Sequence, residues 1–298
     1  MADIRASILA KLRNKAKASG VSYQQCLQLF FQEEFLRRLS KSKYAENLIL
    51  KGGLFIYQLT NFESRATIDV DFLLRQFPNA VDNIEKMIEE IINTPTGNDF
   101  IEMSAGNFEE ISPQRKYKGI STQIIGRIKN VRVPFNIDIG VGDIIVPKAE
   151  KRKINTQLPD FEATEISTYS LESTIAEKFD AILQRYELTG RMKDFYDIYY
   201  LSRTFDFDGL KLQTAIFSTL DKRGTHYEKD SFKRVVHLVD DDDMKVKWRY
   251  FLKSIKDESL DFTVVVNEIK TFLEPVYDAM VNEIEWQKIW DSGKVKWI

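Results

Sequence analysis

The chain has 298 residues, of which 43% are hydrophobic and 30% charged, and its formal net charge is −2. This composition is typical of a globular protein with a substantial core, and it argues against a wholly basic nucleic-acid binder. A single cysteine, Cys26, excludes an internal disulfide and fits a reducing compartment. Because no apolar run approaches the length of a membrane span, and the N-terminus has no apolar signal core, we expect a cytoplasmic protein without a membrane segment.

Two amphipathic helices are predicted before residue 45. The spacing of Ile4, Ile8 and Leu12 predicts the first helix over residues 3–18. Ser22 followed by Gln25 forms a capping box that begins the second. The first helix also carries a set of basic residues that can contact RNA or simply face solvent, namely Lys11, Arg13, Lys15 and Lys17.

A tight turn at Gly52 and Gly53 follows an apolar segment and predicts a strand, a turn and then a helix over about residues 53–60. Because these residues have no side chains, backbone N–H groups at the turn can approach phosphate oxygens closely. Lys51 precedes the glycines and is a candidate counter-charge for phosphate.

Asp69 and Asp71 stand two residues apart in a β-prone, otherwise apolar segment. On a strand, both carboxylates project from one face, with Ile68, Val70 and Phe72 on the other. Adjacent carboxylates repel each other unless a cation lies between them, and Mg²⁺ favours carboxylate oxygens together with phosphate. Such a pair also occurs at solvated strand ends, but the glycine turn upstream favours the metal site.

Asp138 is a third candidate carboxylate. Residues 78–92 predict a helix, and residues 99–147 predict antiparallel strands, one of which begins at about residue 117. Asp138 lies between two isoleucines, an unusual place for a carboxylate in a core strand. Beside the earlier pair it would complete a set of three carboxylates for two metal ions, as in-line phosphoryl chemistry requires. The alternative is that Asp138 caps the glycine turn after it.

The charged segment 148–165 predicts a loop, and we place a domain boundary there, between residues 1–150 and residues 151–298. Beyond it, Ser170 can cap a helix from Leu171 to about Tyr186, and a further helix is predicted to begin near Arg191.

Lys178 lies within the apolar stripe of the first of these helices, and Asp194 shares a face with the apolar residues of the second. Lys178 can extend to solvent, and Asp194 can be favoured by the helix dipole. If both point inward, they form a charged pair, or a phosphate clamp with its orienting acid.

The rest of the chain is predicted to be mostly helical. His226 and His237 are the two histidines, and neither lies near the candidate residues. A Ser/His/Asp hydrolase or a His-ligated zinc site therefore has little support. Three tryptophans near the C-terminus either pack a last helix on the body or stack on RNA bases: Trp286, Trp290 and Trp297.

As a set, these motifs resemble those of the nucleotidyltransferase-like AbiEii/AbiGii toxin family, over about residues 20–203. The matching segments are Leu50-Lys51-Gly52-Gly53-Leu54, Arg65-Ala66-Thr67-Ile68-Asp69-Val70-Asp71, residues 136–143, Ala176-Glu177-Lys178, and Arg191-x-Lys193-Asp194-x-x-Asp197. One departure is Leu54, because a hydroxyl residue usually comes after the glycines in the family. A phosphate contact from that hydroxyl is therefore not expected here.

The resemblance implies an α+β fold, with a nucleotidyltransferase-like mixed sheet flanked by helices and then a mostly helical C-terminal domain that completes the active site. It implies an enzyme that uses Mg²⁺, expected as two ions, to transfer a nucleotide from a nucleoside triphosphate to an acceptor. The acceptor is expected to be RNA, at the tRNA 3′ end. The biological setting would be a type IV toxin–antitoxin or phage abortive-infection system, with an antitoxin that is often a transcriptional regulator.

The expected roles come from both the residues and the resemblance. The expected metal ligands are Asp69, Asp71 and Asp138, and the expected nucleotide-binding residues are Lys51, Gly52, Gly53, Arg65 and Lys193. The resemblance adds Lys178 and Asp194, which correspond to residues needed for activity in the family. Two alternatives stay open: a catalytically inactive fold that binds nucleotide or a partner, and a small-molecule nucleotidyltransferase such as an antibiotic-modifying enzyme.

Overall fold

The computed structural model describes residues 3–111, 118–186, 190–257 and 259–298. The chain divides into two compact units, Met1–Gly142 with Glu150–Tyr169, and Asp143–Ala149 with Ser170–Ile298. The first contains a mixed sheet flanked by helices and the second is mostly helical, so the predicted α+β class is confirmed. As a division into independent domains, the boundary at residue 150 stays a prediction.

The first unit is built around a seven-stranded sheet with the order β3-β4-β5-β2-β1-β7-β6. Its helices are α1 (Ile4–Ser19), α2 (Tyr23–Lys41), α3 (Gly52–Leu59) and α4 (Val81–Ile92). Its strands are β1 (Leu48–Lys51), β2 (Val70–Leu74), β3 (Glu102–Ile111), β4 (Gly119–Ile128), β5 (Val131–Gly140), β6 (Glu150–Ile154) and β7 (Thr164–Thr168). The β2–β5 and β1–β7 pairs are parallel and the other pairs antiparallel. The predicted strand start at residue 117 lies outside the described residues.

The predicted loop over residues 148–165 is wrong, because β6 and β7 form there and pair with each other. The error has a physical cause. β6 is the edge strand of the sheet, and charged residues such as Lys151 and Lys153 face solvent along it. Charges on an edge strand discourage pairing with other chains, but they also hide the apolar alternation by which strands are recognised.

Helix α2 packs against the sheet and begins as predicted. The Ser22 side chain accepts the Gln25 N–H, and the Gln25 side chain accepts the Ser22 N–H, which completes the capping box. Its buried carboxylate Glu34 is fully paired with other protein groups. It forms ion pairs with Arg37 and Arg38 of the same helix and accepts hydrogen bonds from Thr96 and Asn98. Such pairing is what allows a carboxylate to remain in a core.

A second buried carboxylate in α2, Glu33, makes the stability of the protein depend on pH. Glu33 accepts the N–H of Gln157 at 2.9 Å. Burial raises the pKa of Glu33 from 4.5 to about 8, although the Gln157 N–H, Arg37 and Lys15 oppose the change. The folded protein therefore binds this proton more tightly than the unfolded chain does. That stabilisation is complete below the unfolded pKa and is lost as the pH rises through about 8.

We expect Glu33→Gln, which keeps the carbonyl acceptor for Gln157, to remove this dependence. Between about pH 5 and pH 8, the free energy of unfolding of the wild type should fall relative to that of the variant by about 1.4 kcal/mol per pH unit. Urea unfolding of both proteins across that range measures the difference. Parallel pH profiles would show that Glu33 does not titrate in this way.

The second unit contains six α-helices, a short 3-10 helix and a small three-stranded antiparallel sheet in its described part. The helices are α5 (Leu171–Arg185), α6 (Met192–Thr204), α7 (Gly209–Arg223), α8 (Ser231–His237), α9 (Asp242–Ile255) and α10 (Phe262–Val281). The strands are β8 (Phe207–Asp208), β9 (Ile289–Asp291) and β10 (Lys296–Trp297), in the order β10-β9-β8. None of the helices in the described residues combines the length and apolar character needed to cross a bilayer.

The predicted last helix at the C-terminus is wrong, because the residues after α10 form β9 and β10 instead. Trp290 of β9 is fully buried, and its indole N–H donates to the Ser202 carbonyl. Trp286 and Trp297 pack edge to face, with ring centroids 5.8 Å apart. Trp290 is therefore a core residue of the second unit, and the half-buried Trp286 and Trp297 pack against each other beside it.

Candidate active site

A row of polar side chains crosses four neighbouring strands of the seven-stranded sheet. Lys51 of β1 pairs in register with Asp71 of β2, and Asp71 pairs with Asp138 of β5. Asp138 in turn pairs with Ser121 of β4. Because residues in direct register project from the same face of a sheet, these four side chains share one face.

Asp69 lies beside this row, two residues before Asp71 on the same segment. Asn136, two residues before Asp138, donates a hydrogen bond from Nδ2 to Asp69 Oδ1 at 3.2 Å. The structure therefore brings Asp69, Asp71 and Asp138 together on adjacent chain segments, although almost 70 residues of sequence separate the third from the first two. All three carboxylates are half-buried.

Two of the predicted details around the carboxylates change. Val70 and Phe72 are fully buried, as expected, but Ile68 is 61% exposed because β2 begins only at Val70. The alternative that Asp138 caps a turn is also wrong. Asp138 lies within β5 and is paired on both sides, and its Oδ1 accepts the Ser121 hydroxyl at 2.6 Å.

The glycine turn, in which β1 leads directly into α3 at Gly52 and Gly53, fits tightly against Asp71. Gly52 has a φ of +68°, in the left-handed region, and a Cβ there would lie 2.6 Å from Asp71 Cγ. A Cβ at Gly53 would lie 2.9 Å from Thr67 Oγ1. Leu54 is fully buried and acts as a core residue. The hydroxyl next to the glycines is therefore that of Thr67.

Of the basic residues predicted near the turn, Lys51 directly precedes the glycines, at the end of β1. The Lys51 Nζ is 5.1 Å from the centroid of the Tyr169 ring, a distance typical of a cation–π contact. It would be 3.9 Å from a Cβ placed on Gly140, which ends β5. Arg65 is half-buried in the loop between α3 and β2.

In the second unit, Lys178 is buried and ion-paired. Its Nζ lies 3.3 Å from Asp194 Oδ1 and 2.5 Å from Asp197 Oδ2. Arg191 also pairs with Asp194, at 2.8 Å. Of the alternatives, the structure forms the charged pair, and the extension of Lys178 to solvent is wrong. Lys193, next to Asp194, is exposed.

Three residues that hold these groups in place received no role in the sequence analysis, although Asp197 and Asn136 lie within its matching segments. Asp197 lies one helical turn after Asp194, a spacing that places both carboxylates on one face of α6. Asn136 precedes Asp138 by two residues, and the same period-two rule could have found it. Ser121 gave no such signal, because its role depends on strand pairing.

Arg223 of α7, a fourth residue that the sequence did not reveal, joins three carboxylates in the second unit. It pairs with Asp143 at 3.0 Å, Glu177 at 3.0 Å and Asp180 at 2.9 Å. Burial alone lowers the pKa of Arg223, but the three carboxylates outweigh it and raise that pKa above its usual value. Arg223 therefore stays charged and anchors Asp143 to α7.

The three carboxylates Asp69, Asp71 and Asp138 are suitable for a hard divalent cation in ligand type and in backbone position, because oxygen donors from adjacent strands lie on one face. The close fit of Gly52 against Asp71 also leaves the backbone of the turn next to that carboxylate. Within the described ranges, however, no three His, Cys, Asp or Glu side chains are drawn together into a ready-made metal cluster. Asp69 and Asp138 accept hydrogen bonds from neighbouring polar side chains instead.

The Ser121 hydroxyl fixes the orientation of the Asp138 carboxylate, so Ser121→Ala should slow nucleotide transfer. Asp138 is expected to take the proton of the attacking hydroxyl, and a general base works only when it is well oriented. We therefore expect kcat to fall about tenfold with little change in KM for the triphosphate. Ser121→Thr should retain most activity. Thr122 is a matched control, because its buried hydroxyl has no hydrogen-bond partner in the described residues. If Ser121→Ala and Thr122→Val behave alike, Ser121 has no positioning role.

Comparison with known proteins identifies the family of this chain. The family model described as "Nucleotidyl transferase AbiEii toxin, Type IV TA system" matches residues 34–282. MenT4, a nucleotidyltransferase toxin from Mycobacterium tuberculosis, aligns with 93% of this chain and 99% of its own, with a TM-score of 0.56 and 15% identity. JHP933 from Helicobacter pylori aligns over 88% and 95%, with a TM-score of 0.50 and 13% identity.

At these identities, the two structures show a shared fold alone. Among curated proteins, no match is found. The family model, in contrast, spans most of the sequence and includes every candidate metal-binding and nucleotide-binding residue. The chain belongs to the AbiEii family of nucleotidyltransferase toxins of type IV toxin–antitoxin systems.

Proposed function

We propose that this protein transfers a nucleotide from a nucleoside triphosphate to a hydroxyl group at the 3′ end of tRNA and releases pyrophosphate. The acceptor oxygen attacks the α-phosphorus, the bond from that phosphorus to pyrophosphate breaks, and the acceptor proton passes to Asp138. The observation that carries the proposal is the strand register that pairs Asp71 with Asp138, with Asp69 beside them and the glycine turn adjacent.

Each candidate site residue of the first unit has a proposed role that its position supports. Bound to Asp69, Asp71 and Asp138, Mg²⁺ would neutralise charge on the triphosphate and the leaving pyrophosphate. The backbone N–H groups of Gly52 and Gly53 would donate to phosphate oxygens.

Basic side chains around the turn would add to this binding. Lys51, in register with Asp71, and Arg65, in the loop before β2, would supply positive charge for the phosphates.

In the second unit we propose a positioning role for Lys178 and Asp194. The ion pairs to Asp194 and Asp197 fix the Lys178 ammonium group on α5. The exposed Lys193 is available to contact a nucleotide or RNA phosphate. Membership of a toxin–antitoxin family implies an antitoxin partner, which we propose to be a transcriptional regulator acting in the same cytoplasm.

The RNA acceptor is inferred from the resemblance to AbiEii toxins and is tested by an acceptor screen. The protein is incubated with Mg²⁺, each of the four α-³²P-labelled triphosphates in turn, and tRNA, RNA depleted of tRNA, or a set of aminoglycosides. We expect label in tRNA that a 3′ exonuclease removes. Label in aminoglycosides alone would indicate a small-molecule enzyme. Mg²⁺-dependent triphosphate binding without label in any acceptor would indicate an inactive, nucleotide-binding fold.

A further inference from the structure

A cavity of about 180 Å³ lies in the first unit, beside the loop that joins α3 to β2. Helices α1 and α2 form one side, and the end of α3 with the loop after it forms the other. The residues that give the cavity its chemical character are Gln25, Cys26, Gln32, Tyr57, Phe62 and Thr67. None of them is one of the three candidate metal ligands Asp69, Asp71 and Asp138.

Two residues of the cavity contact the segments next to these carboxylates. Gln32 Nε2 donates to the Ile68 carbonyl at 2.8 Å, and this carbonyl belongs to the residue just before Asp69. Thr67 lines the cavity, and its Oγ1 is the atom nearest to a Cβ placed on Gly53. A molecule that contacts Gln32 and Thr67 therefore touches both the segment that carries Asp69 and the neighbour of the glycine turn.

The loop wall of the cavity is strained. Asn61 and Phe62 have consecutive left-handed φ values of 50° and 68°. A bulky residue such as phenylalanine rarely adopts this conformation, and strain of this kind concentrates at binding sites and switches. The Phe62 ring packs edge to face on Tyr57 with centroids 5.3 Å apart, so the bent loop contributes an aromatic wall.

Apart from the exposed Lys15, the lining residues are uncharged, and they favour a flat, uncharged ligand. The rings of Tyr57 and Phe62, with the Leu29 side chain, supply apolar surface. Polar atoms border it. Gln25 Oε1 accepts hydrogen bonds from Ser22, and Gln32 Nε2 donates to the Ile68 carbonyl. Within the described part of the chain, Gln25 Nε2 and Gln32 Oε1 form no hydrogen bond and can therefore bind a ligand. Burial raises the pKa of Tyr57, so its hydroxyl remains a neutral donor.

We propose that this cavity is an effector site for a free nucleobase or nucleoside, and that its occupancy alters the loop leading to Asp69. A nucleobase is a flat, neutral heterocycle with donors and acceptors on its edge, and it is small enough for such a cavity. The effect on catalysis rests on the proposed nucleotidyl transfer, whereas binding does not.

Cys26 provides a direct readout of binding. It is the single cysteine of the sequence, it is buried, and it lines the cavity. Alkylation by iodoacetamide, followed by intact-mass spectrometry, is measured with adenine, guanine, cytosine, uracil or their nucleosides, in the absence of triphosphate and RNA. At a concentration about ten times its Kd, a binding base should slow alkylation about tenfold. Bases and nucleosides in separate arms distinguish the two sources of the ring.

Three variants sharpen the test. Gln32→Leu, which removes an edge amide, and Val21→Trp, which narrows the cavity, should each abolish the protection; thermal unfolding checks that both are folded. Asp71→Asn should leave the protection unchanged. No protection by any base or nucleoside would overturn the proposal. Protection that requires triphosphate and Mg²⁺ and disappears in Asp71→Asn would also overturn it, because the cavity would then belong to the substrate site.

Discussion

Gly52→Ala is expected to reduce nucleotide transfer at least a hundredfold while the protein remains folded. Gly52 has a φ of +68°, and its Cβ would lie within the Asp71 carboxylate, 2.6 Å from Cγ. The side chain of Asp71 cannot remain where it is beside an alanine. The left-handed conformation adds about 1–2 kcal/mol of strain, which a chain of this size should tolerate. The loss of about two orders of magnitude corresponds to removal of a transition-state contact.

Gly97→Ala is the matched control for this change. Gly97 also has a positive φ, of +82°, but a Cβ there would meet nothing within 4 Å. It therefore carries a comparable backbone strain without a steric clash. Transfer rates and urea unfolding of both variants separate the two effects. Full activity in Gly52→Ala, or an equal loss in Gly97→Ala, would mean that the turn does not need to approach Asp71 closely.

Lys178→Met is expected to lower the free energy of unfolding by roughly 3 kcal/mol. Lys178 is buried with Asp194 and Asp197, whose side chains are 2% and 1% exposed. Removing the ammonium group takes a counter-charge from both carboxylates, although Asp194 keeps its pair with Arg191. A buried carboxylate that loses a counter-charge must remain desolvated or take up a proton, and both cost free energy.

A double-mutant cycle measures how much of the lost stability comes from the buried carboxylates that no longer face the Lys178 charge. Asp197→Asn in the Lys178→Met background removes a charge that was left behind, and it should restore part of the lost stability. Urea unfolding of the wild type, both single variants and the double variant measures the coupling. Additive effects of the two changes would show that the ion pair does not contribute to folding. Nucleotide transfer by the same variants tests whether Lys178 is also needed for activity.

How far sequence alone predicts this site depends on the range over which its residues interact. The alternation of Asp69 and Asp71 with Val70 and Phe72 is local, so the period of a strand predicts it. The inward orientation of Lys178 is also local, because helical spacing places it in the apolar stripe of α5.

Interactions between distant segments are different. Asp138 meets Asp71 through a parallel pairing of β2 with β5, and nothing in either strand specifies that register. The hydrogen bond from Ser121 depends on a further pairing, between β4 and β5. β6 went unrecognised for a different reason, because an edge strand covered with charges has no apolar pattern to reveal it. The resemblance to AbiEii toxins predicted that the carboxylates meet, whereas the physical pattern alone left Asp138 open to a capping role.

Asp69, Asp71 and Asp138 are proposed to act as one site. The most direct test measures the transfer of labelled nucleotide to tRNA by three variants, Asp69→Asn, Asp71→Asn and Asp138→Asn. Asp99→Asn, which changes an exposed carboxylate of the same unit, is the control. We predict that each of the first three loses activity about a hundredfold or more, with unchanged folding, and that the double variant Asp71→Asn/Asp138→Asn loses no more than either single variant. Undiminished transfer by Asp138→Asn would contradict the account.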